Sequence, residues 1–84
     1  MRLVTYEVEH KGGLGVISRD GKWVYPLRSL DMDYQTMQEL IEGLSESEKQ
    51  LLEYVSGQAP YKIRGAAPLD EVKFLAPIPN PKQD

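Results

Sequence analysis

Among its 84 residues the chain has no cysteine. That excludes a disulfide framework and any thiolate metal site, and it fits a reducing compartment, with the cytoplasm as the expected location. Charge of one dominant sign is also missing: ten Lys and Arg stand among thirteen Asp and Glu, for a net charge of −3. With cations scattered among acids there is no basic field to hold phosphates, so nucleic acid and anionic membrane are not expected partners. Apolar runs stay far below the roughly 20 residues of a membrane span, and the chain opens on a strand pattern instead of a charged leader, so no targeting signal is expected. Histidine occurs once, at His10. No recognisable motif places a serine or threonine beside it, which leaves no nucleophile and base pair to read.

What is present suits one small domain, since a chain of this length buries only roughly 60–65% of the surface its unfolded form exposes. Residues 1 to 9 alternate as a half-buried strand does, with Val4, Tyr6 and Val8 on one face and Leu3, Thr5, Glu7 and Glu9 on the other. His10-Lys11-Gly12-Gly13 predicts a turn, Leu14 to Ser18 a second strand, Asp20-Gly21 a tight hairpin turn, and Trp23 to Leu27 a third strand. Asp33 is the predicted N-cap of a helix with a stripe of Tyr34, Met37, Leu40, Ile41 and Leu44, ended at Gly43 by a left-handed turn. Ser45-Glu46-Ser47-Glu48 has capping-box spacing and opens a second helix, with Leu51, Leu52 and Val55 as its stripe, Tyr54 flanking it and Gly57 ending it. Gln58 to Pro68 reads as an irregular crossing and Leu69 to Leu75 as a fourth strand. Prolines at 77, 79 and 81 then impose a stiff extended rod. The expected fold is α+β, a small antiparallel sheet of three to four strands covered by two short helices.

Candidate chemistry is sparse. Glu7-x-Glu9 would put two carboxylates on one strand face, a spacing able to hold a hard cation, but no further oxygen ligand is placed and a solvated strand face accounts for the pair. In Asp31-x-Asp33 both carboxylates suit the positive end of the following helix. Gly12-Gly13-x-Gly15 precedes a strand, whereas phosphate-cradling loops precede a helix, so turn formation is the reading. Trp23 and Tyr25 lack the interleaved cations of a stacking surface and read as packing partners. No catalytic, cofactor-binding or metal residue is therefore assigned.

Leu69-x-x-Val72-x-x-Leu75-Ala76-Pro77-Ile78-Pro79-x-Pro81 resembles the junction in fumarylacetoacetate hydrolase family proteins where a small N-terminal domain hands over to the catalytic domain. The opening Met1-Arg2-Leu3-Val4-Thr5-Tyr6-Glu7, the Leu14-Gly15-Val16 strand and the helical middle resemble that domain in order and spacing, so the likeness spans most of the chain. The resemblance implies a non-catalytic accessory domain at 1–76 and a proline-rich linker at 77–84 leading towards a catalytic domain that these residues do not contain. The Gly-x-Asn-Tyr-x-x-His-x-x-Glu segment and the carboxylate metal ligands of the family lie beyond such a junction. It further implies a parent enzyme that hydrolyses, hydrates, decarboxylates or isomerises 2-oxo or 2,4-dioxo acids, with Mg or Mn held in the catalytic domain and no cofactor in this chain. The expected partner is that catalytic domain. Phe74, Leu75, Ala76, Pro77, Ile78 and Pro79 are the expected docking and linker residues, because Phe74 and Leu75 point to opposite sides of a strand and cannot both face the domain's core. Weak self-association through the uncovered one is expected of the isolated chain. The alternative is a free-standing small protein-interaction module.

Overall fold

Alternation in the first third of the chain becomes a meander of three antiparallel strands, β1 (Arg2–Val8), β2 (Lys11–Ile17) and β3 (Trp23–Pro26). The structure is a computed structural model and describes residues 2–75. Helices α1 (Met37–Gly43) and α2 (Glu46–Ser56) follow, and two short strands, β4 (Ala67–Pro68) and β5 (Lys73–Phe74), complete the sheet. The architecture is α+β, with strand order β4-β3-β2-β1-β5. The sheet thus has five strands, where three to four were expected. The expected fourth strand over 69–75 is interrupted by a 3-10 turn at Leu69–Glu71, so Ala67–Pro68 pairs with β3 at one edge while Lys73–Phe74 crosses to pair with β1 at the other. Pro68 has no amide hydrogen to donate to a ladder, which suits it to an edge position.

Both faces of the sheet are used. On one, Leu14, Val16 and Tyr25 meet Leu40 of α1 and Leu52 and Val55 of α2, with Leu27 and Met32 closing the cluster. Burial of side chains such as Leu40 and Leu52 stabilises the fold by roughly 2 kcal/mol each. On the other, Tyr6, Ile17 and Val24 form a second cluster, lined by Val4, Val8, Leu69 and Val72. The C-terminal segment therefore covers part of the face that the helices leave bare.

Several local readings need correction. The first hairpin turns at Glu9-His10, both left-handed with φ of 52° and 68°, because Val8 pairs with Lys11 and leaves a two-residue loop. Gly12 and Gly13 lie inside β2 and not in the turn. The N-cap of α1 is Thr36, whose hydroxyl accepts from the Glu39 amide at 3.1 Å; Asp33 lies one turn earlier and accepts from the Gln35 side chain at 3.2 Å. Gly43 does end α1, without a left-handed turn: Leu44 caps it in extended conformation, and the Tyr34 ring packs where a Gly43 side chain would sit. Ile41 is 65% exposed, and Leu51 is also exposed, so neither belongs to the core stripe. The buried residues of the helices are Leu40 in α1 and Leu52, Val55 and Ser56 in α2. The α2 capping box forms as expected, Ser45 accepting from the Glu48 amide at 3.2 Å and Glu48 accepting from the Ser45 amide at 3.0 Å.

Candidate functional site: a cleft on the face opposite the helices

Small residues in β2 set this site. Gly15 lies opposite Pro26, and a side chain there would collide with Val24 Cγ1 at 2.7 Å, the Tyr25 carbonyl oxygen at 2.9 Å and Tyr6 Cε1 at 2.9 Å. Tyr6 therefore leans from β1 across β2 over the space that Gly15 leaves empty, towards the end of β3. An aromatic ring laid over a strand glycine restores packing that the glycine forfeits. Tyr6 is 2% exposed. Burial pushes its phenol above the ordinary tyrosine value, and the Arg28 guanidinium works against that rise.

The ring ends at a cleft of about 540 Å³, within the usual size of small-molecule sites. Arg28 reaches it from the 3-10 turn Leu27–Leu30, which follows β3 directly, and Arg64 reaches it from the loop before β4. These two carriers are tied together. The Ser29 hydroxyl donates to the Arg64 carbonyl, and Gly65, at φ 81°, lies so close to the Pro26 ring that a Cβ there would stand 3.0 Å from Cγ. Only a residue without a side chain takes that left-handed turn against the proline easily. Lys11 and Glu9 border the cleft at the first hairpin, and Glu71 borders it from the 3-10 turn before β5. Among the described residues Lys11, Arg28 and Arg64 form no ion pair, and the Tyr6 hydroxyl has no hydrogen-bond partner. Since no fully buried side-chain polar atom among them lacks a partner, that hydroxyl opens onto the cleft.

The residues expected to carry docking lie elsewhere on the same sheet. Phe74 pairs with Tyr6 at the β5 edge, and the Leu75 amide donates to the Thr5 carbonyl at 2.9 Å. Phe74 is 46% exposed and Leu75 36%, so both side chains meet solvent. Ala76, Pro77, Ile78 and Pro79, with the rest of the proposed linker, lie outside the described residues. Glu7 and Glu9 do not share a strand face, because the left-handed turn removes Glu9 from the ladder. Asp31 is also left-handed, at φ 61°, and caps the Leu27–Leu30 turn. Among the described residues no group of three or more His, Cys, Asp or Glu gathers into a metal site, and no helix is long and apolar enough to cross a membrane. Trp23 and Tyr25 pack in the helix-side cluster, where the Tyr25 hydroxyl donates to the Gln58 carbonyl at 2.7 Å.

Tyr6, Arg28 and Arg64 were not singled out from the sequence for any chemistry. The glycine in the middle of a strand was the one available signal, since such a glycine marks a close approach. Nothing in the spacing of Arg28 and Arg64 announces that they converge. Comparison of the chain with protein-family models, with curated proteins and with solved structures gave no match.

Proposed function

We propose that the chain is a non-catalytic accessory domain of an enzyme similar to the fumarylacetoacetate hydrolase family, one that acts on 2-oxo or 2,4-dioxo acids with a divalent metal held in another domain. Its own contribution is structural: it packs beside the catalytic fold. The order of strand, glycine-containing strand, helical middle and Leu75-Ala76-Pro77-Ile78-Pro79 supports the family reading. The structural observation that favours docking is the β5 edge, where Phe74 of the last described strand and Leu75 directly after it are both exposed. An uncovered apolar pair on a sheet edge is a surface that proteins otherwise blunt with charge or cover.

Two measurements test this. Translating the coding DNA past Asp84 should give a Gly-x-Asn-Tyr segment; a stop codon there favours the free-standing interaction module instead. The purified chain should turn over neither acylpyruvate nor fumarylpyruvate with Mg²⁺ or Mn²⁺. Turnover abolished by Glu7→Gln or Glu9→Gln would place chemistry in this domain and overturn the assignment.

A further inference from the structure

The cleft beside Tyr6 gathers donor groups that the accessory role does not require. The backbone that carries its cations is held by the fold, while both arginine residues are exposed: Arg28 sits on a tight turn, Arg64 precedes a left-handed glycine, and the Ser29 hydroxyl joins the two segments. Neither arginine spends its guanidinium on a carboxylate among the described residues. The Tyr6 ring is buried to the level of a core residue while its hydroxyl is left without a partner at the cleft. A buried aromatic with a free hydroxyl, next to a planar five-donor guanidinium, presents donors towards an acceptor-only group. Counting Lys11 with the arginines, three cations face two carboxylates, Glu9 and Glu71, which leaves a single net positive charge. That balance suits a monoanion better than a phosphate dianion.

We propose that the cleft between Tyr6, Arg28 and Arg64 binds a small monocarboxylate, held by the two guanidinium groups and the Tyr6 hydroxyl. Glu9 and Glu71 at the border exclude more highly charged anions by repulsion. The site stands whether or not the domain belongs to a larger enzyme, because every group in it comes from this chain.

Titration of the isotopically labelled chain with sodium pyruvate, followed by amide and arginine side-chain NMR, tests the proposal, with sodium chloride at matched ionic strength as the control and inorganic phosphate as the competitor. The expected result is a saturable shift confined to residues around Tyr6, Arg28 and Arg64–Ala67, absent with chloride. Arg28→Gln and Arg64→Gln should each weaken binding roughly tenfold, as loss of a charge-assisted hydrogen bond does. Tyr6→Phe keeps the ring over Gly15 and should weaken binding roughly threefold while leaving the thermal midpoint near that of the parent chain. Shifts that never saturate, equal shifts with chloride, or shifts unaffected by both arginine variants overturn the site. Tighter binding of phosphate than of pyruvate overturns the choice of a monocarboxylate.

Discussion

Gly15 shows how much one missing side chain carries. Its hydrogen faces the Tyr6 ring edge and the Tyr25 backbone, and backbone does not yield as a flexible side chain does. Gly15→Ala should therefore cost about 2 kcal/mol in urea unfolding, through overpacking, and should also displace Tyr6 from the cleft. A variant as stable as the parent would mean that the ring rests elsewhere. Glu9 and His10 make the opposite case: both hold left-handed conformations that side chains disfavour. Replacing the pair with Asn-Gly, the residues such a two-residue hairpin prefers, should stabilise the chain by about 1 kcal/mol. The end of β1 was legible from alternation to within a residue, but the start of β2, expected at Leu14, lies at Lys11, and the loop was not legible. Glycines at 12 and 13 look like turn residues, and only the pairing of Val8 with Lys11 shows that the strained positions are Glu9 and His10.

At the scale of elements, the best-read feature is the start of α2 and the worst-read is the start of α1. A capping box couples two residues at fixed spacing, so Ser45 and Glu48 identify it without tertiary information. Asp33 and Thr36 are both competent caps, and the choice between them falls to packing: Tyr34 leaves the helix to lie against Gly43, its hydroxyl 2.9 Å from Glu48 Oε1. Ser45→Ala should cost about 1 kcal/mol by chemical denaturation. Glu48 also gives the element a pH dependence. The Ser45 amide and then the Tyr34 hydroxyl hold its carboxyl below the ordinary glutamate value. A depressed carboxyl contributes stability that is present above its unfolded-state pKa and lost as pH falls through the lower folded-state value. Asp20 acts in the same direction, held low by the Ser18 hydroxyl and the Lys22 amide in the second hairpin. The thermal midpoint should thus fall on acidification below the ordinary carboxylate range, and Glu48→Gln should flatten that fall. An unchanged acid slope in the variant would remove Glu48 as a contributor.

Over the whole molecule, the asymmetry between the two faces of the sheet decides what remains to be recognised. Period-two alternation in β1 revealed that Val4, Tyr6 and Val8 share a face, but not that the helices cover the opposite one and leave this face to the C-terminal segment. The route of the chain after Gly57 was not legible, because two-residue strands carry no periodicity and the 3-10 turns between them depend on contacts distant in sequence. That route brings Arg64 to Arg28 and sets Phe74 opposite Tyr6, so the cleft and the apolar edge both arise from the least periodic part of the sequence. The two edges differ in kind. At β4, Pro68 withholds a donor, whereas β5 offers Phe74, with Leu75 just after it, beside the Lys73–Glu7 pair of the ladder. An edge with that composition invites another strand or another apolar surface. The chain should accordingly associate weakly at high concentration, and Phe74→Lys should return it to a monomer while leaving the helix-side core, which Phe74 does not join, at its original stability. Sedimentation velocity over a concentration series reads the first effect and urea unfolding the second. A parent chain that stays monomeric throughout would mean that the exposed pair is too small to drive contact between copies, and the argument that β5 is a docking edge would go with it.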